Sequence, residues 1–206
     1  MLRLFLLLLL VGTSPSLVLA QATDETFEAA LLQTKTGALL VYNGSQHAFS
    51  VRFTGRVEPS KNPNFLTVNR QVVQAAIIGY GSNGDVANLP EATQKKFLIS
   101  YQQHEGSYFR QELKVPIANE KTAFVRYGNH LFLSWEFGML HRTKTRVKQQ
   151  LYLVAICFNQ VLVLNCPVAT PADAARARQL LAAIAETLVL RDEPVDLTKL
   201  YKKLHP

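Results

Sequence analysis

Residues 148–168 read KQQLYLVAICFNQVLVLNCPV, and residues 169–190 continue as ATPADAARARQLLAAIAETLVL. The first segment contains two apolar runs on either side of Asn159-Gln160. Both alternating sets of side chains in these runs are apolar, which is typical of central β-strands covered on both faces. Thr170-Pro171 predicts the start of a helix, because Thr caps helix N-termini and Pro suits the first turn. The stretch therefore predicts a buried hairpin followed by a helix whose apolar stripe comprises Leu180, Leu181, Ile184 and Leu188.

A two-residue turn at Asn159-Gln160 pairs Phe158 with Val161 and places Phe158 on the opposite face of its strand from Cys157. The same register separates Cys157 from Cys166 by four ladder positions, about 13 Å at roughly 3.3 Å per residue. Two cysteines in an exported protein suggest a disulfide, but a disulfide requires Cα atoms within about 7 Å. The sequence therefore predicts two buried, free thiols.

The first residues have the layout of a secretory signal peptide. Arg3 supplies a positive start, residues 4–11 form an unbroken apolar run, and the small residues Ala20 and Ala22 offer two cleavage positions. An uncleaved anchor is the alternative, but the apolar run is shorter than the about 20 residues that span a bilayer. We therefore predict that residues 1–22 are a signal peptide and that the protein is exported, either periplasmic or secreted.

The rest of the chain has the size of one domain with its own core. The 206 residues include 22 Lys and Arg against 15 Asp and Glu, a formal net charge of +7. No second long apolar run follows, so we expect no transmembrane segment in the mature chain. We predict a single α+β domain over residues 23–190 and a polar C-terminal tail over residues 191–206, with one helical turn near residues 197–203.

Hydrophobic periodicity and turn residues predict the other elements. Asn43-Gly44, Asn69-Arg70 and Gly128-Asn129 are the turn candidates between β-rich runs. Asn43-Gly44-Ser45 also fits the N-glycosylation pattern, although a turn explains Asn-Gly without a glycan. The predicted segments are a helix over 23–35, a hairpin of 38–42 and 47–54, a loop over 57–64, one long strand or a hairpin over 65–80, a helix over 90–113, and a hairpin of 122–127 and 130–137.

This order predicts an α+β fold with a mostly antiparallel sheet of about six strands and helices on both faces. Its last part, two apolar strands followed by an alanine-rich helix that begins at Pro171, resembles the end of PsbP-like domains. The resemblance covers residues 37–188 and is topological; many small exported bacterial proteins of unknown function resemble the same fold. It implies a PsbP-like α/β/α sandwich, and a binding or accessory module more than an enzyme.

Residues 79–84 spell G-x-G-x-x-G after a predicted strand, and Glu105 follows about twenty residues later, as in dinucleotide-binding folds. That fingerprint requires a helix to start within the glycines. Pro90 opposes such a helix, and Asp85 would repel the phosphates. We interpret the segment as a flexible loop and predict no cofactor.

The predicted helix over 90–113 carries the catalytic candidates. Glu105 and Glu112 share one face among tyrosines, where two carboxyl groups in a cleft can serve acid and base catalysis. His104 is adjacent to Glu105, and a scattered site that joins it to His130 is a further alternative. An amphipathic helix with a polar rim explains the same spacing, and no metal-ligand motif predicts a metal site.

The dense basic stretch of the chain contains Arg142, Lys144, Arg146 and Lys148. On an extended segment their alternate spacing puts the charges on one side, where they would meet phosphate, anionic lipid or acidic glycan. A solvated hairpin face explains the same pattern. No aromatic residue lies between the charges, so we predict no nucleic-acid binding.

These patterns favour an exported, non-catalytic binding or accessory protein of the cell envelope, with an envelope protein, anionic lipid or glycan as candidate partners. Two alternatives stay open. One is an exported hydrolase that uses Glu105 and Glu112 or a scattered histidine site. The other is an anion-binding surface module over residues 142–148.

Overall fold

A computed structural model of the chain describes residues 25–79, 86–140 and 146–205. The predicted signal peptide, most of the glycine motif, and Arg142 and Lys144 lie outside the described residues. The described part is α+β, with two antiparallel sheets and three α-helices. The strands are β1 (Glu28–Thr34), β2 (Gly37–Asn43), β3 (Ala48–Thr54), β4 (Val57–Pro59), β5 (Phe65–Val68), β6 (Gln71–Gly79), β7 (Ile117–Tyr127), β8 (His130–Met139), β9 (Gln149–Cys157), β10 (Gln160–Val168) and β11 (Val189–Arg191). The helices are α1 (Glu91–Gln111), α2 (Pro171–Ala185) and α3 (Leu197–Leu204).

The predicted central hairpin forms the middle of a seven-stranded sheet. The strand order is β4-β5-β6-β10-β9-β8-β7, so β9 and β10 have neighbours on both sides. Nearly all of their residues are buried, which confirms the prediction of strands covered on both faces. One core contains Leu151, Leu153, Leu162 and Leu164, and the other contains Tyr152, Val154, Val161 and Val163.

Helices lie on both faces of this sheet, as predicted. On one face, Leu98 and Phe109 of α1 share a core with Trp135 of β8. On the other face lie α2 and a second sheet of order β1-β2-β3-β11, which share the first core. The start of α2 is confirmed, because the Thr170 Oγ1 accepts a hydrogen bond from the Asp173 backbone N–H at 3.2 Å.

The turn of the central hairpin lies one residue earlier than predicted. Cys157 pairs with Gln160, and Phe158 and Asn159 form the turn. Phe158 has a φ of 58°, and its ring lies in the same core as Cys157, with its centroid 4.2 Å from that of His47. The predicted pairing and face of Phe158 are therefore wrong, because a turn residue does not follow the alternation of a strand. The observed pairing differs from the predicted pairing by two residues. Because side chains alternate between the two faces of a strand, a shift of two leaves all residues of β9 and β10 on their predicted faces.

Both cysteines are free and buried. In the observed register they lie six ladder positions apart, about 20 Å at roughly 3.3 Å per residue. Burial raises the pKa of the Cys166 thiol to about 12 and also raises the pKa of the Cys157 thiol. Both positions therefore disfavour a reactive thiolate.

The N-terminal predictions require correction. The expected helix over 23–35 is wrong, because Glu28–Thr34 form β1 and pair with β2 along the edge of the four-stranded sheet. Leu31 suits a helical stripe but also packs against the core from a strand, and this tertiary pairing outweighs local propensity.

Val57–Pro59, expected in a loop, form β4 by pairing with β5. The described strands therefore number eleven in two sheets, rather than about six in one.

The remaining elements follow the prediction more closely. The helix over 90–113 is present as α1, and the turns at Asn43-Gly44, Asn69-Arg70 and Gly128-Asn129 each join paired strands. After Leu190 the chain forms an eight-residue helix, α3, in place of the single turn expected. In the described part of the chain, no helix has the length and apolar character needed to cross a membrane.

The side chain of Asn43 ties the C-terminal segment to β2. Its Oδ1 accepts a hydrogen bond from the Val195 backbone N–H at 2.7 Å, and its Nδ2 donates to the Val195 carbonyl at 3.1 Å. The amide that an N-linked glycan would modify is therefore already engaged within the fold.

Candidate functional site

A cleft of about 740 Å³ opens between the end of β3, the β5–β6 turn and one side of α2. Three guanidinium groups line it, from Arg52, Arg70 and Arg176, against one carboxylate, that of Asp173. We call this cavity the arginine cleft. Its volume falls within the range of small-molecule sites, about 300–1,000 Å³.

Arg52 reaches the cleft because the alternation of β3 points it away from the core. Its neighbours Val51 and Phe53 are fully buried, whereas Arg52 is exposed. The Arg52 backbone N–H donates to the Thr187 Oγ1 at 2.7 Å, and the Thr187 hydroxyl donates to the Ile184 carbonyl at 2.7 Å. These bonds fix β3 against the C-terminal end of α2.

Arg70 lies in a two-residue turn whose backbone is unusual for its side chain. The φ of Asn69 is 49° and that of Arg70 is 69°, and both are positive, as in type I′ hairpin turns. Glycine suits the second position best, and an arginine there carries a strain of about 1 kcal/mol. The guanidinium therefore lines the cleft at a position where the backbone alone favours glycine.

Asn69 fixes this turn to the connection between the two sheets. Its Oδ1 accepts a hydrogen bond from the Arg56 backbone N–H at 3.0 Å, and its Nδ2 donates to the Thr54 carbonyl at 3.2 Å. Gly55 lies beside this amide with a φ of 101°, and a Cβ there would come within 2.3 Å of the Asn69 Oδ1. Both the backbone angle and the close approach therefore require glycine at position 55.

Arg176 enters the cleft from α2 and forms an ion pair with Asp173, one turn earlier. The hydrogen bond from the Thr170 hydroxyl, together with the Arg176 guanidinium, holds the pKa of Asp173 below its ordinary value. Within residues 25–79, 86–140 and 146–205, neither Arg52 nor Arg70 has a carboxylate within ion-pair distance. The cleft therefore carries an excess of positive charge.

The α2 side of the cleft combines polar residues, Asp173, Arg176 and Gln179, with the apolar Leu180, Ala183 and Ile184. Arg176, Leu180 and Ile184 are spaced four residues apart and share one face of the helix. Leu180 is half-buried and Ile184 is buried, and the buried Val68 of β5 also lines the cavity. Guanidinium groups bind carboxylate and phosphate oxygens through paired N–H donors. The arrangement therefore suits an anion.

The carboxylates predicted as catalytic lie elsewhere. Glu105 is half-buried in α1, and burial raises its pKa. Burial, and to a lesser degree the Glu105 carboxylate, also raises the pKa of Tyr101 and Tyr152. His104 is exposed on α1, and Glu112 is exposed just beyond its last residue. The helix thus places Glu105 among tyrosines, as predicted, but leaves Glu112 in solvent.

His130 does not join these residues. It lines a small cavity of about 160 Å³ together with Glu91, at the N-terminal end of α1. Glu105 lies fourteen residues later, about 21 Å along the helix axis at roughly 1.5 Å per residue. The structure therefore does not bring His130 together with His104 or Glu105.

Of the predicted basic stretch, Arg146 and Lys148 are described, and both are exposed. Lys148 lines a second cavity, of about 310 Å³, together with Lys121 of β7. The backbone N–H of Lys148 donates to the Val168 carbonyl at 2.8 Å, which fixes this segment beside the end of β10. Lys121 is not among the predicted site residues, because it lies far from the stretch in sequence.

The sequence patterns also missed the arginine cleft, because its residues come from a strand, a turn and a helix that meet only in the fold. Weak local signals exist. Arg52 is the charged residue in the otherwise uncharged strand AFSVRFT, and Arg70 stands where glycine is the usual turn residue. Neither signal alone specifies a site.

In the part of the chain that the structure describes, no three His, Cys, Asp or Glu side chains lie close enough together to hold a metal ion. The arginine cleft is a candidate through its shape and charge. No protein-family model matches the sequence, and no curated protein matches it either, so the assignment of this site depends on the geometry of the chain itself.

Proposed function

We propose that the protein is an exported, non-catalytic binding or accessory module of the cell envelope, and that it binds a small anionic ligand in the arginine cleft. The observation that carries the proposal is the gathering of three guanidinium groups around one cavity with a single carboxylate. Like charges held together repel each other, so a bound anion stabilises this arrangement. Complementary charge also favours encounter with anionic molecules over cationic ones.

A PsbP-like sandwich remains our proposal for the architecture. The antiparallel sheet with α1 on one face and α2 on the other supports it. The four-stranded sheet beside α2 goes beyond a simple α/β/α arrangement and forms one wall of the cleft, through Arg52. The proposed fold and the proposed site are therefore linked, because the added sheet helps to create the cavity.

Export is proposed from the layout of residues 1–22 and has a separate test. Protein recovered from the cell envelope or the medium should begin at Gln21 or Thr23 when its N-terminus is sequenced. Recovery from the cytoplasm with Met1 still present would contradict export. It would leave the cleft proposal unaffected.

Calorimetric titration of the purified protein with inorganic phosphate, sulfate and simple carboxylates tests the cleft. We expect binding that Arg52→Gln weakens at least tenfold, because a neutral amide replaces a paired, charged donor. Arg191→Gln is the matched control, since Arg191 is exposed in β11 and does not line the cleft. Equal weakening by both variants would indicate a general charge effect and contradict the proposal, as would the absence of binding.

The surface around Arg146 and Lys148 is a second candidate, favoured by the cavity that Lys148 shares with Lys121. These exposed lysine and arginine side chains can meet the phosphate headgroups of an anionic membrane. Reversal of both lysine charges, Lys121→Glu with Lys148→Glu, should abolish salt-sensitive binding to vesicles that contain phosphatidylglycerol. Unchanged binding of the double variant would eliminate this candidate.

A further inference from the structure

We infer that the ligand of the arginine cleft is an elongated molecule with two anionic groups, one for each end of the cleft. The inference rests on the proposed function, because it specifies which class of anion the cleft binds. It follows from the places at which β3, the β5–β6 turn and α2 bring their arginines to the cleft.

Arg52 and Arg176 enter the cleft from opposite ends. Arg52 lies beside the C-terminal end of α2, where its backbone N–H donates to the Thr187 Oγ1 at 2.7 Å. Arg176 lies near the N-terminal end of the helix. It precedes Ile184 by eight residues, about 12 Å at roughly 1.5 Å per residue. The backbones of Arg52 and Arg176 thus lie at opposite ends of α2, and a ligand with two anionic groups can engage both side chains at once.

Arg70 lies between these two ends. On one side of its turn, the Asn69 Nδ2 donates to the carbonyl of Thr54, the last residue of β3, at 3.2 Å. On the other side, the Gln71 Nε2 donates to the Pro167 carbonyl at 3.1 Å, close to the start of α2. The turn that carries Arg70 is thus held between the end of β3 and the segment before α2.

The lining between the two ends is mixed. Leu180 and Ala183 are apolar, whereas Gln71 and Gln179 offer hydrogen-bond partners. The cleft therefore specifies the charged ends of the ligand more than the chemistry of its middle.

The Arg176 end already contains a carboxylate. Asp173 pairs with the Nη2 of Arg176 and leaves the other N–H donors of the guanidinium free of this contact. An anionic group that binds there acts beside an existing negative charge, so it contributes less than the group at the Arg52 end.

A calorimetric series of α,ω-dicarboxylates of increasing length, each with the monocarboxylate of the same carbon number, tests this inference on the purified protein. We expect affinity for the dicarboxylates to pass through an optimum at which binding is at least tenfold tighter than that of the matched monocarboxylate. Arg52→Gln and Arg176→Gln should each reduce the best dicarboxylate to the level of the monocarboxylate. Arg191→Gln should leave the difference unchanged.

The outcomes separate this inference from the proposed function. If mono- and dicarboxylates bind equally well at every length, and Arg52→Gln weakens both, the cleft binds anions but the two-ended ligand is wrong. If no carboxylate, phosphate or sulfate binds, the inference and the proposed function are both wrong.

Discussion

The side-chain Oδ1 of Asn69 accepts a hydrogen bond from the backbone N–H of Arg56 at 3.0 Å. Arg56 lies between β3 of one sheet and β4 of the other, so this bond fixes the β5–β6 turn to the point where the chain passes between the sheets. The same amide donates to Thr54. One residue thus holds two walls of the arginine cleft in place.

Asn69→Ala should destabilise the fold by about 2 kcal/mol, because two hydrogen bonds that contribute about 1 kcal/mol each are lost. Urea unfolding provides the measurement. Asn129→Ala is the matched control, since Asn129 also occupies a hairpin turn but its side chain makes no hydrogen bond within the described ranges. A loss of the same size in both variants would contradict the role of Asn69.

Arg70→Gly separates binding from stability. Relief of the positive-φ strain, about 1 kcal/mol, is roughly offset by the greater freedom of glycine in the unfolded chain. We therefore expect a free energy of unfolding within about 0.5 kcal/mol of the original value. Anion affinity should nevertheless fall at least tenfold, because one guanidinium leaves the cleft. Unchanged affinity in a stable variant would exclude Arg70 from the site.

Glu25 links stability to pH. Burial alone would raise its pKa, but hydrogen bonds from the His47 ring at 2.6 Å and from the backbone N–H groups of Gln46 and His47 lower it below the ordinary value of 4.5. A carboxyl group with a lowered pKa stabilises the fold above its unfolded pKa, and this contribution is lost as the pH falls through the folded pKa. Melting temperatures measured from neutral pH to below pH 4.5 should therefore decrease.

The matched variants for this prediction are Glu25→Gln and Glu28→Gln. Glu25→Gln should reduce the decrease in melting temperature on acidification, because the titrating group is gone. Glu28 is exposed in β1, so Glu28→Gln should leave the decrease in place. If Glu25→Gln retains the full pH dependence, other carboxyl groups account for it.

The two thiols should be inert in the folded protein. Cys157 and Cys166 are buried, and burial raises the pKa of both, so little thiolate forms near neutral pH. A thiol reagent should label neither cysteine in the native protein and both in denaturant without reductant. A non-reducing mass that is two hydrogens lower would show a disulfide and contradict the observed register.

The central hairpin was predictable because the side chains on both faces of β9 and β10 are apolar. The same pattern places Leu162 and Val163 in opposite cores. The exact register of the hairpin was not predictable from this pattern. Phe158 could extend the strand or occupy the turn, and in the fold it occupies the turn, with its ring packed near those of His47 and Phe27. The N-terminal strand was missed because Leu31 fits either a helical stripe or an edge strand, and pairing with β2 decides between them.

The candidate site was largely beyond sequence reasoning. Single arginines on β3, in a turn and on α2 are ordinary surface residues until the fold brings them to one cavity. For the predicted carboxylates on α1, the sequence pattern joined two residues that the structure does not bring into one site. Helical spacing placed Glu105 and Glu112 on one face, yet the end of the helix leaves Glu112 in solvent.

The central claim, that the arginine cleft binds anions, is tested most directly by following backbone amide signals in NMR spectra during titration with an α,ω-dicarboxylate and, separately, with inorganic phosphate. We predict saturable shifts that cluster at residues 52–54, 69–71 and 173–184, with little change near residues 146–148. Shifts confined to Lys121 and residues 146–148, or no saturable shifts at all, would contradict the claim.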